Sequence, residues 1–322
     1  MRLITVFLLA VSFASHVLAA NTPYPGIVLT SMDVKYIDEE SNPKRVEFSG
    51  RIKQKEGDTD TAILKNVVEV RKEGNFWNRV PIFQADEVSV SELKASVKKP
   101  LLCIHGFDVQ PGSHLARCRE VREKFKNFDL LPVIWPSDGG LPRYWGDREN
   151  SKNAGEAFQS LLKFAGMFPR KSLLAHSMGN RVLRFAANGN FKFDNIFMAA
   201  ADVNNKMFDK DYIDSTEGDP EGRRDDGLQF VKMLRKANSK IYVLHNRQDY
   251  ALTGSTIVKL GTGRLGASGV PDMDKVHPDI KGKVENINAG QKWLNWTPNF
   301  AAHSYQFSDE AIDFYDKVYL SD

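Results

Sequence analysis

A serine held between small residues is the first feature of this sequence with chemical content. Ala175-His176-Ser177-Met178-Gly179 follows the short apolar run Ser172-Leu173-Leu174-Ala175 and precedes the helix-like Arg181-Val182-Leu183-Arg184-Phe185. A sharp turn from strand into helix strains its middle residue and exposes that side chain above the sheet. It also crowds the flanking positions until only small residues fit, a demand that Ala175 and Gly179 meet. The helix that starts there aims its dipole and free N–H groups at negative charge near Ser177. The chemistry this arrangement suits is attack by an activated hydroxyl. A chance match in a loop is the competing explanation, and the flanking strand and helix argue against it.

Such a serine needs elements to hold it. From residue 21 to about Lys98 the chain shows short alternating stretches: Met32, Val34 and Tyr36, then Val46, Phe48 and Ile52, then the β-branched Asn66-Val67-Val68-Glu69-Val70. Charged turns such as Lys55-Glu56-Gly57-Asp58 separate them, which predicts an antiparallel meander. After Lys98 the runs become continuously apolar, as buried parallel strands are: Pro100 to Ile104, Leu130 to Trp135, Ser172 to Ala175, Ile196 to Ala199, Ile241 to Leu244, and a last one near Val284 to Ile287. Helical patterns lie between them. One spans about Ser113 to Phe128, one carries Phe158, Leu161, Leu162 and Ala165 on a stripe, and one contains Leu228, Val231, Met233 and Leu234. A final helix starts behind Ser308 as N-cap and puts Ile312, Tyr315 and Val318 on one face. Strands alternating with helices predict a mostly parallel, doubly wound α/β sheet with an antiparallel β extension at its N-terminal end.

Several local motifs together resemble the α/β-hydrolase superfamily, and within it a bacterial group of uncharacterised function. They are Ile104-His105-Gly106-Phe107, Trp135-Pro136-Ser137, Ala175-His176-Ser177-Met178-Gly179, Ala200-Ala201-Asp202-Val203, Asp249 with its neighbours, and His303-Ser304-Tyr305. The likeness covers about Lys98 to the C-terminus, with Ala175 standing where glycine is commoner. It implies a serine hydrolase in which the triad members follow in the order Ser, acid, His. Three histidines follow Ser177, namely His245, His277 and His303. His303 falls between the last strand and the terminal helix, where the base belongs, and His245 at a strand end suits a core histidine. Two acids compete. Asp249 follows the Ile241 strand, the more usual source, and is preferred; Asp202 after the Ile196 strand is the alternative, and a helix N-cap would explain either. The resemblance also implies an oxyanion hole from the backbone N–H groups of Met178 and Phe107, with His105 bracing that loop. Trp135, Tyr144, Trp145 and Phe107 either line an apolar substrate pocket or serve as packing.

Other patterns carry less. Gly261-Thr262-Gly263-Arg264-Leu265-Gly266 matches a dinucleotide fingerprint, but no βαβ unit surrounds it. Asp209, Asp211 and Asp214 lack the Asp/Asn-Gly step of a calcium loop. No His-Glu-x-x-His or paired Cys-x-x-Cys is present, so neither metal nor cofactor is expected. Asn295-Trp296-Thr297 is formally a glycosylation sequon.

Composition sets the outer bounds. Hydrophobic residues at 42% and charged residues at 26% suit a folded globular chain. Lys+Arg 44 against Asp+Glu 41 leaves +3, too balanced for a protein built around nucleic acid. Residues 1–20 read as a signal peptide: Arg2, an apolar run to about Ala14, and Val17-Leu18-Ala19 before cleavage after Ala19 or Ala20. That run is shorter than the roughly 20 residues of a membrane span. The expectation is therefore a secreted or periplasmic single domain over 21–322, β-rich over 21–98 and catalytic over 99–322, without a membrane span once processed. In an oxidising compartment Cys103 and Cys118 either pair or remain buried thiols. The expected activity is ester hydrolysis through an acyl-enzyme on a small acyl ester, and the alternative is a non-catalytic binding protein on the same fold.

Overall fold

The computed structural model describes residues 22–50, 62–74, 80–107, 109–137, 144–187, 193–214, 231–232, 239–258, 263–290 and 303–321. The chain first lays down β1 (Val28–Thr30), β2 (Val34–Asp38), β3 (Arg45–Ser49), β4 (Ala62–Glu73), β5 (Val80–Glu87) and α1 (Val90–Ser96). Strands and helices then alternate: β6 (Pro100–Ile104), α2 (Pro111–Val121), β7 (Asp129–Ile134), α3 (Tyr144–Ala165), β8 (Ser172–His176), α4 (Gly179–Ala186) and β9 (Asn195–Ala199). There follow α5 (Lys210–Asp214), β10 (Lys240–His245), α6 (Tyr250–Val258), α7 (Leu265–Ser268), β11 (Val284–Asn288) and α8 (Asp309–Ser321).

Among the described residues eleven strands join one sheet in the order β11-β10-β9-β8-β6-β7-β1-β4-β5-β3-β2. From β11 to β1 every pairing is parallel, and from β1 onward every pairing is antiparallel. The predicted doubly wound sheet with its antiparallel extension is what forms. β1 is the changeover strand, parallel to β7 with Leu29 opposite Val133 and antiparallel to β4 with Leu29 opposite Ile63.

Successive strand side chains point to opposite faces, so continuously apolar strands must be covered on both. Leu102, Ile104, Leu173, Ala175 and Met198 enter one core with Ala154 and Phe158 of α3 and Val182 of α4. Leu101, Cys103, Leu174 and Phe197 enter the other with Leu115 and Cys118 of α2 and Ile312 and Tyr315 of α8.

Some boundaries differ from expectation. The helix expected from Ser113 to Phe128 is α2, with Pro111 at its start, followed by a single 3-10 turn at Arg122–Lys124. The backbone N–H groups of Lys126 and Asn127 both donate to the Asp316 carboxylate at 3.0 Å, which ties that segment to α8. Met32 is buried but precedes β2, and Ile52 and Lys55–Asp58 lie outside the described residues. So do the side chains of Leu161, Leu162 and Ala165, and all of Leu228, Met233, Leu234 and Asn295. Val231 is helical and buried. Ser308 accepts from the Ala311 N–H and caps α8 as expected. Among the described residues no helix is long and apolar enough to cross a membrane; residues 1–20 lie outside them.

Candidate active site

The turn between β8 and α4 carries Ser177 at φ 51°, in the left-handed region that costs a non-glycine residue about 1–3 kcal/mol. Neighbouring strand ends hold it there. The Ser177 N–H donates to Ala199 O at 2.9 Å, and Ser177 O accepts from the Asp202 N–H at 3.2 Å. Asn180 spreads its amide over three carbonyls, Ala175 O at 2.8 Å, Ser177 O at 3.2 Å and Ala199 O at 3.3 Å. Glycine is required on both sides of the serine. A Cβ on Gly179 would meet His105 O at 2.6 Å, and one on Gly106 would meet Ser177 Cβ at 2.6 Å. The β6 loop is thereby pressed directly against the serine.

That loop is braced as His105 suggested. The Trp135 indole N–H donates to His105 O at 2.9 Å, and the Trp135 backbone N–H reaches His105 Nε2 at 3.3 Å. Nε2 must then accept, which leaves the proton on Nδ1, 3.1 Å from Gly106 O. Burial holds the His105 imidazole well below its ordinary range, with the nearby His114 acting in the same direction. His105 is thus a neutral structural group. Trp135 is wholly enclosed, stacked on the His105 ring. Met178 is buried and Phe107 half-buried, and no backbone acceptor among the described residues takes the N–H of either.

His303 meets Asp249, not Asp202. Its Nδ1 lies 2.7 Å from Asp249 Oδ2. The other carboxylate oxygen, Oδ1, accepts the Leu252 N–H at 3.0 Å and caps α6. Asp249 therefore fills the capping role and the imidazole-holding role at once, one oxygen for each. Burial alone would lower the His303 pKa, but the Asp249 charge and hydrogen bond outweigh it and raise the value above 6.5. Asp202 sits in a different network. Its Oδ2 accepts from the Tyr144 hydroxyl at 2.9 Å, and its Oδ1 accepts from Ser255 at 2.7 Å and faces Arg264 Nε at 3.4 Å. His245 is buried at the end of β10, and His277 stands beside Asp279 on the far side of β11 in sequence.

Two groups escaped the sequence reading. His176, just before the serine, donates from Nε2 to His303 O at 2.8 Å with the rings 4.8 Å apart, so the nucleophile strand itself holds the His303 loop. Burial and the charge of His303 push the His176 pKa down to about 3, which keeps it neutral. Tyr305 lies across β9 and β10, donating to Leu244 O at 2.5 Å and accepting the Ala200 N–H at 2.9 Å. Ala200, like Ser177, has a positive φ, 45°. The motif His303-Ser304-Tyr305 contained this signal; nothing in the sequence pairs His176 with a residue 127 positions away.

Two glycines of the dinucleotide-like segment, Gly263 and Gly266, have another use; Gly261 lies outside the described residues. A Cβ on Gly266 would meet the Ala200 carbonyl carbon and the Ala201 nitrogen at 2.1 Å, and Gly263 packs on Asn205. α7 thus presses onto the turn that carries Asp202. Asp209, of the calcium-like group, accepts the Tyr212 N–H at 3.1 Å and starts α5.

A parallel sheet whose β8 turns into α4 through a serine at positive φ, pressed against a glycine loop, is the arrangement of an α/β hydrolase. The chain belongs to the family described as "Alpha/beta hydrolase of unknown function (DUF900)", whose model matches residues 83–294. No curated protein matches it by sequence. Among solved structures, one reported for LipS and LipT, two metagenome-derived lipolytic enzymes, is 12% identical with a TM-score of 0.39, covering 70% of this chain and 93% of that one. A lipase-esterase related protein from Clostridium acetobutylicum is 13% identical with a TM-score of 0.36, over 69% and 93%. An esterase from Thermogutta terrifontis is 10% identical with a TM-score of 0.36, over 90% and 92%.

Proposed function

We propose that the protein is an exported serine hydrolase that cleaves carboxylic esters through an acyl-enzyme. The observation that carries this reading is the 2.7 Å His303–Asp249 contact, tied by the His176–His303 hydrogen bond to the residue that precedes a serine held at φ 51°. In the proposed cycle His303 Nε2 takes the proton of Ser177 Oγ as the oxygen attacks the ester carbonyl. Asp249 accepts Nδ1–H throughout and stabilises the imidazolium. The Met178 and Phe107 N–H groups receive the oxyanion. Collapse expels the alcohol, which leaves with the proton from His303, and water repeats the sequence to release the acid.

Aromatic side chains extend outward from the loop that bears Phe107. Phe107 meets Tyr144 edge-on at 5.2 Å, and Tyr144 meets Trp145 at 5.7 Å, with Trp145 57% exposed. This apolar path supports an ester with an apolar acyl or alcohol group. The residue 1–20 pattern supports export to the periplasm or medium.

A fluorophosphonate probe tests the reading: it should label the wild-type protein and leave Ser177→Ala unlabelled. Folded wild-type protein that resists the probe would favour a non-catalytic binding protein. Turnover across p-nitrophenyl esters of increasing acyl length then defines the substrate range.

A further inference from the structure

Below the serine, on the sheet face covered by α2 and α8, three side chains converge that the hydrolase reading does not use. His114 and Cys118 are four residues apart on α2, which places both on one helical face. That face meets Cys103 of β6. His Nδ1 or Nε2 and the two Sγ atoms all lie within 4.8 Å of one another. All three residues are buried, at 4%, 0% and 1% exposure for His114, Cys118 and Cys103. The absence of familiar ligand spacings led to no metal being expected, yet the fold assembles ligands that are 15 positions apart in the chain, Cys103 and Cys118.

We propose that Cys103, His114 and Cys118 bind one soft, thiophilic cation, Zn²⁺ or Cu⁺. Ligands sharing one such ion at bond lengths of about 2.0–2.3 Å lie roughly 3.5–4 Å apart. Cys118 Sγ is 3.6 Å from His114 Nε2 and 3.8 Å from Nδ1. His114 Nε2 is also 3.1 Å from Cys103 O. A carbonyl only accepts, so Nε2 carries the proton and the unprotonated nitrogen is Nδ1, 3.8 Å from Cys118 Sγ. Metal-binding histidines are oriented in this way, with the far N–H tied to a backbone carbonyl. Binding releases two thiol protons to solvent and forms two metal–thiolate bonds and one metal–imidazole bond, with no redox change. Two thiolates neutralise Zn²⁺ and leave one negative charge with Cu⁺. A Cys103–Cys118 disulfide would instead leave the buried His114 Nδ1 with no hydrogen-bond donor among the described residues.

The site does not depend on the proposed catalysis, and its test uses no substrate. Full-length protein purified under reductant should carry close to one Zn²⁺ or Cu⁺ per chain by elemental analysis, and a Cu⁺-selective chelator tells the two apart. Co²⁺ added to reduced, metal-free protein should produce a thiolate-to-cobalt charge-transfer band. Cys118→Ser and His114→Ala should weaken binding by at least about 100-fold. Because the ligands are buried, chelators should strip the native protein far more slowly than the denatured one. Reduced protein that is folded by circular dichroism but binds none of the three ions would overturn the proposal. So would a mass two hydrogens lower without reductant that is restored by it. If a variant fails to fold, the wild-type cobalt spectrum still decides, since it reports thiolate ligation directly.

Discussion

The turns after β9 and β10 start alike and end differently. Each follows a buried parallel strand and each delivers a fully buried aspartate, Asp202 or Asp249. Asp202 is met by a permanent cation, Arg264, and by two hydroxyls. Asp249 is met by one backbone N–H and by a titratable imidazole. The difference arises across the sheet. β11 lies beside β10 and His303 meets the β10 turn at Asp249, while the β9 turn faces Tyr144 of α3. A carboxylate fixed to a guanidinium can only support structure. One fixed to an imidazole can support a charge that comes and goes.

Conservative substitutions at the two acids should therefore part company. Asp249→Asn should lower kcat by about 10⁴, since the wrong His303 tautomer is favoured; melting temperature would show a much smaller change. Asp202→Asn should cost roughly 1–3 kcal/mol of stability, because it removes the charge that faces the buried Arg264 guanidinium. Denaturant unfolding measures that loss, and kcat should stay within about tenfold of wild type. Equal kinetic losses at both positions would erase the distinction.

The pH dependence sharpens it. The proposed role of His303 as base requires it to be neutral, and its pKa is raised above 6.5 in the folded protein. The acid limb of kcat/KM should accordingly have its midpoint above 6.5, and Asp249→Asn should move that midpoint downward as burial takes over. A group raised on folding stabilises the protein below its unfolded pKa, and this contribution is lost as pH rises through the folded value. The His303–Asp249 contribution to stability should thus be largest under mildly acidic conditions. His176, pushed down to about 3, should not titrate across that window. The smallest effect expected is from Tyr144→Phe, which removes one hydrogen bond to Asp202 and should cost about 1 kcal/mol by denaturant unfolding.

The parallel half of the sheet was legible because its strands are unbroken apolar runs. Leu101 to Ile104 is buried on both faces and needs no alternation to be recognised. Two strands went unread. β1 is only three residues long, and β5 begins Val80-Pro81 and ends in polar residues. Proline is tolerated there because it stands at the strand start. In the candidate site, the strained turn at Ser177 and the pairing of His303 with Asp249 were readable from local motifs. His176 and Asn180 were not, because their work is to hold backbone carbonyls, and any strand or helix supplies those. The Cys103–His114–Cys118 cluster was hidden for a related reason: two of its residues are on a helix and the third is on a strand, and only the packing of α2 on β6 brings them together.

The changeover strand β1 has a consequence for the order of assembly. Leu29 pairs with Val133 on one side and Ile63 on the other, so the strand made first cannot be seated until more than a hundred residues have followed. Contacts of that sequence separation form late and slow folding. The proposed export calls for a chain that stays unfolded until it has crossed the membrane, and a first strand that waits for β7 supplies that delay.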